Sequence, residues 1–146
     1  MKLVEFIEQI FGLKTKLEDH YGDWLGYEIE DFDLTKNIVT TKLTIRKEHL
    51  SPSGSVHGGV VSGFLDFSCG CAVFTTLNKG ELCSTVDLGV KYFKPLKESD
   101  VVFAKARVVN RGKKLCSVVT DLFDSKDAEK QVALATATFN IYPIKF

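Results

Sequence analysis

The fold class that this sequence predicts is α+β: an antiparallel sheet of five to six strands curled around a central apolar helix, with a further helix at the amino end. Three observations carry it. The 21 residues from Gly58 to Asn78 contain one charged side chain, Asp66. Amphipathic segments rich in β-branched and aromatic residues lie on both sides of that stretch. A helix that is apolar all round must be covered on most of its faces, and a chain with several half-polar strands has enough sheet to wrap it.

The elements follow in order. Leu3, Phe6, Ile7, Ile10, Phe11 and Leu17 recur at steps of three and four, with Glu5, Glu8, Gln9 and Lys16 between them, which predicts an amphipathic helix lying on the body of the protein. From Trp24 the period changes. Residues 27–34 and 37–47 read as two strands of a hairpin, separated by the turn-forming Thr35-Lys36-Asn37. After the central helix, Leu82, Ser84, Val86, Leu88, Val90 and Tyr92 alternate with Thr85, Asp87, Gly89 and Lys91, a half-buried strand that stops before Pro95. Residues 101–109 form the next strand, 110–114 (NRGKK) a tight turn, 115–123 a strand, 125–130 (SKDAEK) a polar turn and 131–142 the last strand. No internal repeat, linker or low-complexity tract interrupts this order. The expectation is one domain over residues 1–146, with a helix and connection at 1–23 and the core at 24–146.

Composition removes several classes of function. Lys plus Arg and Asp plus Glu both number 19, so the formal charge is zero; without a basic tract, nucleic acid is not an expected partner. Glu5 and Glu8 interrupt what would have to be the apolar core of an export signal. Cys69, Cys71, Cys83 and Cys116 form neither a disulfide framework nor a Cys-x-x-Cys pair, so free thiols in a reducing cytoplasm are expected. The central stretch is long enough to be weighed as a membrane span. Gly58, Gly59, Gly63 and Gly70 argue against it, as does an aspartate costing about 2.5–3.5 kcal/mol at a bilayer centre. No membrane association is expected.

Metal and thiol chemistry are likewise not expected. Cys69 and Cys71 point about 200° apart on a helix, which rules out a Cys-x-Cys chelate, and both lie too far along the axis from His57 to be activated by it within one chain. No cluster of His and carboxylates has ligand spacing. The prediction is no metal and no cofactor.

The motif Gly54-Ser55-Val56-His57-Gly58-Gly59, followed by Asp66, resembles the hot-dog-fold acyl-CoA thioesterases of the phenylacetate-degradation type. The resemblance extends from about Tyr27 to Tyr142, through Ser84-Thr85-Val86-Asp87-Leu88-Gly89-Val90, Phe93-Lys94-Pro95 and Asn110-Arg111-Gly112-Lys113. One position departs: the family commonly has Asn where this chain has Ser51.

Thioester hydrolysis needs donors aimed at the developing oxyanion and a group that activates water or attacks directly. Gly58 and Gly59 at a helix start suit the first task, because amides there lack intrahelical partners and sit at the positive end of the helix dipole. Asp66 suits the second, either as general base or as nucleophile.

If the helix begins at Gly58, Asp66 lies about 12 Å further along the axis, too far for both to reach one carbonyl. Two antiparallel copies could bring Gly58 of one subunit opposite Asp66 of the other. A homodimer is therefore expected as the catalytic unit, and the resemblance implies a homotetramer of two such dimers.

The remaining site expectations are these. His57 orients substrate or loop rather than serving as principal base. The resemblance implies that the hydroxyl of Thr85, or of neighbouring Ser84, positions water or the carboxylate, and that the basic turn of Arg111, Lys113 and Lys114 meets the nucleotide end of coenzyme A, with Lys91 and Lys94 as weaker candidates. The acyl group would occupy an apolar tunnel touched by Phe64, Phe67 and Phe74. Two other readings stay open: a hot-dog dehydratase or hydratase with His57 as base, and an acyl-CoA-binding module without turnover.

Overall fold

Apolar residues on one side make the amino-terminal stretch a helix, α1, at Leu3–Phe11. Phe6 from that stripe is fully buried and meets Phe32 edge-on, with ring centroids 5.3 Å apart. The structure is a computed structural model in which residues 1–11, 20–125 and 130–144 are described. Lys16 and Leu17 of the expected helix, and positions 126–129 of the expected polar turn, lie outside the described residues.

A second helix, α2, spans Tyr21–Leu25. Sequence periodicity misses it because five residues are too few to show a period, and the helical period was expected to give way inside it, at Trp24. Gly26, at φ +82°, ends the helix by donating its N–H to Gly22 O at 2.9 Å. The Arg46 guanidinium donates to the carbonyls of Trp24 and Leu25 at this terminus, and a side chain on Gly26 would collide with it.

The first two strands, β1 (Glu28–Asp33) and β2 (Ile38–Thr44), form the expected hairpin. Asp33 Oδ1 closes its turn by accepting from the Thr35 N–H at 2.9 Å and the Thr35 hydroxyl at 2.6 Å, and Asn37 takes the left-handed φ of 54°. A short 3-10 turn at Lys47–His49 leads towards the central helix, α3, at Gly58–Phe74. There follow β3 (Glu81–Tyr92), β4 (Val101–Arg111), β5 (Leu115–Phe123) and β6 (Gln131–Pro143). Asn110 and Arg111 of the expected tight turn belong to β4, so the turn itself is confined to 112–114.

The six strands make one antiparallel sheet in the order β1-β2-β4-β5-β6-β3. It wraps α3 as expected, and two apolar clusters fill the space between. One gathers Phe64, Leu65, Leu43, Val102 and Leu122; the other gathers Cys69, Val73, Val39, Val118 and Phe139. Each large side chain so buried contributes about 1.5–3 kcal/mol. One polar link crosses this interior: Ser68 Oγ donates to Phe64 O at 2.8 Å and shares a 2.6 Å hydrogen bond with Thr41 Oγ1 of β2. This leaves neither buried hydroxyl unpaired.

Candidate active site

The α3 helix begins where the chemistry of its first residues dictates. His57 is the N-cap, with extended backbone (φ −64°, ψ 134°), and its Nδ1 accepts the Gly59 N–H at 2.8 Å. An imidazole that accepts at Nδ1 carries its proton at Nε2 when neutral. The capping role, which weighed less than site membership in the sequence, is thus occupied by His57 Nδ1. The Gly59 amide is consumed by the same bond. Among the described residues no hydrogen bond engages the Gly58 N–H, which stands exposed at the positive end of the helix. Its carbonyl accepts the Tyr92 hydroxyl at 3.1 Å.

The turn presenting Gly58 is braced from behind by His49, which sequence reading did not single out. His49 is fully buried; its Nδ1 accepts the Arg46 N–H at 3.1 Å and its carbonyl accepts the His57 N–H at 2.9 Å. Trp24 meets the imidazole edge-on at 5.6 Å. Burial, reinforced by the Arg46 charge, holds the His49 pKa below the ordinary histidine value. A lone histidine in a polar loop carries no sequence signal for such a role. Ser51 knits the same loop: its hydroxyl donates to Ser55 O at 2.9 Å and shares a hydrogen bond with Ser53.

Asp66 lies half-buried on the open side of α3, and its Oδ1 accepts the Thr85 hydroxyl at 2.7 Å. A bulge in β3 makes this contact possible. Pairing with β6 slips between Thr85 and Asp87, so Val86 is the extra residue and stands 57% exposed. Before the bulge, Cys83 and Thr85 face the helix; after it, Leu88 and Val90 pack on the core. One extra residue reverses the parity of a strand. The uninterrupted alternation read from the sequence would have turned Thr85 away from Asp66.

Beside the Asp66–Thr85 pair opens a pocket of about 180 Å³ lined by Phe67, Gly70, Cys71, Phe74, Cys83, Ser84 and Phe139. Ser84 joins its wall, while Thr85 makes the hydrogen bond to the carboxylate. Of the phenylalanines expected along an acyl tunnel, Phe67 and Phe74 line this pocket, but Phe64 is wholly buried in the core. Phe67 also packs on Tyr27, with centroids 3.9 Å apart.

The cysteines are chemically quiet. Burial, with the Asp66 charge adding to it, pushes the Cys69 thiol up to about 12. Cys83 is pushed to about 12 by burial and by the neighbouring Cys116 and Asp66, and burial raises Cys71 further still. Protonated thiols are neither nucleophiles nor metal ligands. Among the described residues no group of three or more His, Cys, Asp or Glu gathers as a metal site, and no helix is long and apolar enough to cross a membrane.

The basic turn lies at the other end of α3. Arg111 is engaged there: it forms a 2.9 Å ion pair with Glu81, and its Nε donates to Thr76 Oγ1 at 3.2 Å. Lys113 and Lys114 are exposed beside it, with Lys113 on the rim of an open cleft shared with Thr76, Asn78 and Glu81. The structure therefore brings Asp66, Thr85 and Ser84 together, groups His57, Gly58 and Gly59 at the helix start, and sets Arg111, Lys113 and Lys114 apart. Eight residues of helix, about 12 Å, separate Gly58 from Asp66.

Comparison with known proteins places this arrangement. The thioesterase superfamily model matches residues 53–131, a stretch that contains His57, Gly58, Asp66 and Thr85. A relative from Saccharolobus solfataricus that carries an esterase name is 30% identical over 125 residues, covering 86% of this chain and 79% of its own. Human acyl-coenzyme A thioesterase 13 is 27% identical over 84 residues, 58% of this chain and 59% of the relative. The crystal structure of a phenylacetic acid degradation-related protein from Ralstonia eutropha superposes with a TM-score of 0.79 at 30% identity, over 92% of this chain and 98% of the other. The chain spans 66% and 50% of the length of the first two curated relatives that it matches. A family match running through more than half of the sequence, on a sheet-wrapped helix reproduced nearly end to end, means that the chain belongs to the thioesterase superfamily and has its hot-dog fold.

Proposed function

We propose that this protein hydrolyses acyl-CoA thioesters to a free acid and coenzyme A at a site shared between two copies of the chain. The observation that carries this reading is a carboxylate, Asp66, held by Thr85 at the mouth of an apolar pocket and separated by two turns of helix from the unpaired Gly58 amide. The acyl-CoA thioesterase name of the human relative supports the substrate class.

The thioester oxygen accepts the Gly58 N–H of one subunit while Asp66 of the other acts on the carbonyl carbon. In one route Asp66 takes a proton from water, the hydroxide adds to carbon, and the tetrahedral intermediate expels the coenzyme A thiolate, which is then protonated. In the other, an Asp66 oxygen adds to carbon, thiolate leaves, and water cleaves the resulting mixed anhydride. Both routes use the same two groups. His57 fixes the turn that presents Gly58. A dehydratase would require His57 as base, and its Nδ1 is already occupied by the Gly59 amide.

Two features support a second copy as the missing half. β3 ends the sheet and pairs within the chain to β6 alone, leaving an edge strand of 12 residues with exposed Val86 along it; such an edge invites another strand. The side of α3 away from the sheet presents Gly59, Ser62 and Asp66, small enough for a second helix to approach. We assign the homodimer as the catalytic unit, two dimers as a homotetramer, and the cytoplasm as its location. Lys113 and Lys114, with Arg111 held beside them, are assigned to the coenzyme A phosphates.

A mixing experiment tests the shared site. Gly58→Pro deletes the amide proton at the one helical position that favours proline, and His57 already has the extended backbone that must precede it. Gly58→Pro and Asp66→Asn should each lower thiol release by about 100-fold or more. Subunits from the two variants, unfolded and reassembled together, should recover roughly a quarter of wild-type activity, since statistical pairing leaves one intact site in half of the dimers. Two active single variants, or no recovery from a dimeric mixture, would refute the arrangement.

A further inference from the structure

The glycines of α3 are glycine for different reasons. A Cβ on Gly63 would collide with the Tyr21 hydroxyl, and one on Gly59 would lie 2.9 Å from His57 Nδ1, so α2 and the cap explain these two. Gly58 starts the helix and belongs to the chemistry above. Gly70 has no such reason. It sits in the interior of α3, where glycine destabilises a helix relative to alanine. A Cβ there would meet nothing nearer than the Phe139 ring at 3.6 Å, an ordinary contact.

What the missing side chain leaves open is space in the pocket beside Asp66. Asp66, Phe67, Gly70, Cys71 and Phe74 follow one side of α3 from position 66 to position 74, a rise of about 12 Å. Phe139 and Cys83 close the opposite wall, and the protonated thiols of Cys71 and Cys83 serve there as small apolar groups. The volume is about 180 Å³. Cavities of about 150 Å³ lined by apolar side chains take up benzene. A slightly larger apolar group would fill the space that this chain alone provides.

Building on the thioesterase reading, we infer that this pocket receives the acyl group, that it selects compact acyl chains of about six to eight carbons, and that Gly70 sets the upper limit. An alanine at Gly70 would add its methyl group directly into the pocket, opposite Phe139. The substitution should stabilise the fold while narrowing the substrate range, a combination that a purely structural glycine would not produce.

The test compares kcat/KM for acetyl-, octanoyl- and palmitoyl-CoA in wild type and Gly70→Ala, with a thermal midpoint for each protein. Wild type should prefer octanoyl- over palmitoyl-CoA by about tenfold or more, and Gly70→Ala should lower the octanoyl-to-acetyl ratio by a similar factor, with its midpoint unchanged or higher. Equal loss on all substrates, an unchanged ratio, or palmitoyl-CoA turned over as fast as octanoyl-CoA would overturn the assignment. Binding of free octanoate, followed by the shift in thermal midpoint, separates the pocket from the reaction. If no acyl-CoA releases thiol but octanoate stabilises wild type more than Gly70→Ala, the pocket stands and the hydrolase reading falls. Equal stabilisation of both proteins, or a larger shift with palmitate, removes the pocket.

Discussion

The two sides of α3 make different use of the same 17 residues. The side facing the sheet carries Val61, Phe64, Leu65, Cys69 and Val73, all buried. The open side carries Gly59, Ser62, Asp66 and Gly70, small or charged residues that contribute little to the core, with Tyr21 of α2 lying over Gly63 between them. Stability is concentrated on one side, and the proposed chemistry on the other. A helix sandwiched fully inside the sheet could not separate them, because every side chain would then be needed for packing.

The largest effects should come from exchanging damage between the two sides. Phe64→Ala leaves a cavity in the core and should cost about 3–5 kcal/mol by urea unfolding, while the folded fraction keeps its kcat. Asp66→Asn should do the reverse, abolishing most thiol release with an unfolding midpoint close to that of wild type. If Asp66→Asn proves as destabilising as Phe64→Ala, the open side is structural and the separation fails.

A smaller effect tests the bulge. Thr85→Val keeps shape and strand propensity but removes the hydroxyl that Asp66 Oδ1 accepts. A hydrogen bond to a charged group is worth about 1.5–3 kcal/mol, so kcat should fall by roughly tenfold or somewhat more, with little change in stability. Ser84→Ala, at the neighbouring position without that bond, should change kcat far less. Equal effects from both would mean that the reversed parity at Val86 does not matter to the reaction.

The smallest effect belongs to the loop behind the helix start. Burial keeps the His49 pKa below its value in the unfolded chain, about 6.5. Between the two values the unfolded chain binds the additional proton, so stability rises with pH there and is lost as pH falls below about 6.5. Urea midpoints between about pH 5 and pH 7.5 should therefore slope less steeply for His49→Gln than for wild type. An identical slope would show that His49 does not titrate on unfolding.

Much of the fold was legible because it rests on neighbours in the chain. The start of α3 follows from the His57-Gly58-Gly59 cap and the apolar run behind it. The hairpin turn follows from Asp33 and its local hydrogen bonds, and each strand was visible in its alternation. The solitary charge of Asp66 in an apolar run singled it out as the candidate carboxylate. α2 was not legible, because it is too short for periodicity and is held by Arg46, 21 residues beyond Leu25.

The sequence by itself determined which segments other than α2 are helix and strand, and which residue types occupy the helix start and the middle of α3. Those outcomes depend on local backbone preference and on hydrophobic period. The tertiary structure alone decided that Val86 bulges and so turns Thr85 towards Asp66, that Phe64 belongs to the core while Phe67 and Phe74 line a pocket, and that Arg111 is tied to Glu81. Each of these depends on strand register or on contacts between distant segments. Such contacts form only once the sheet has closed around the helix, so no window of neighbouring residues contains them.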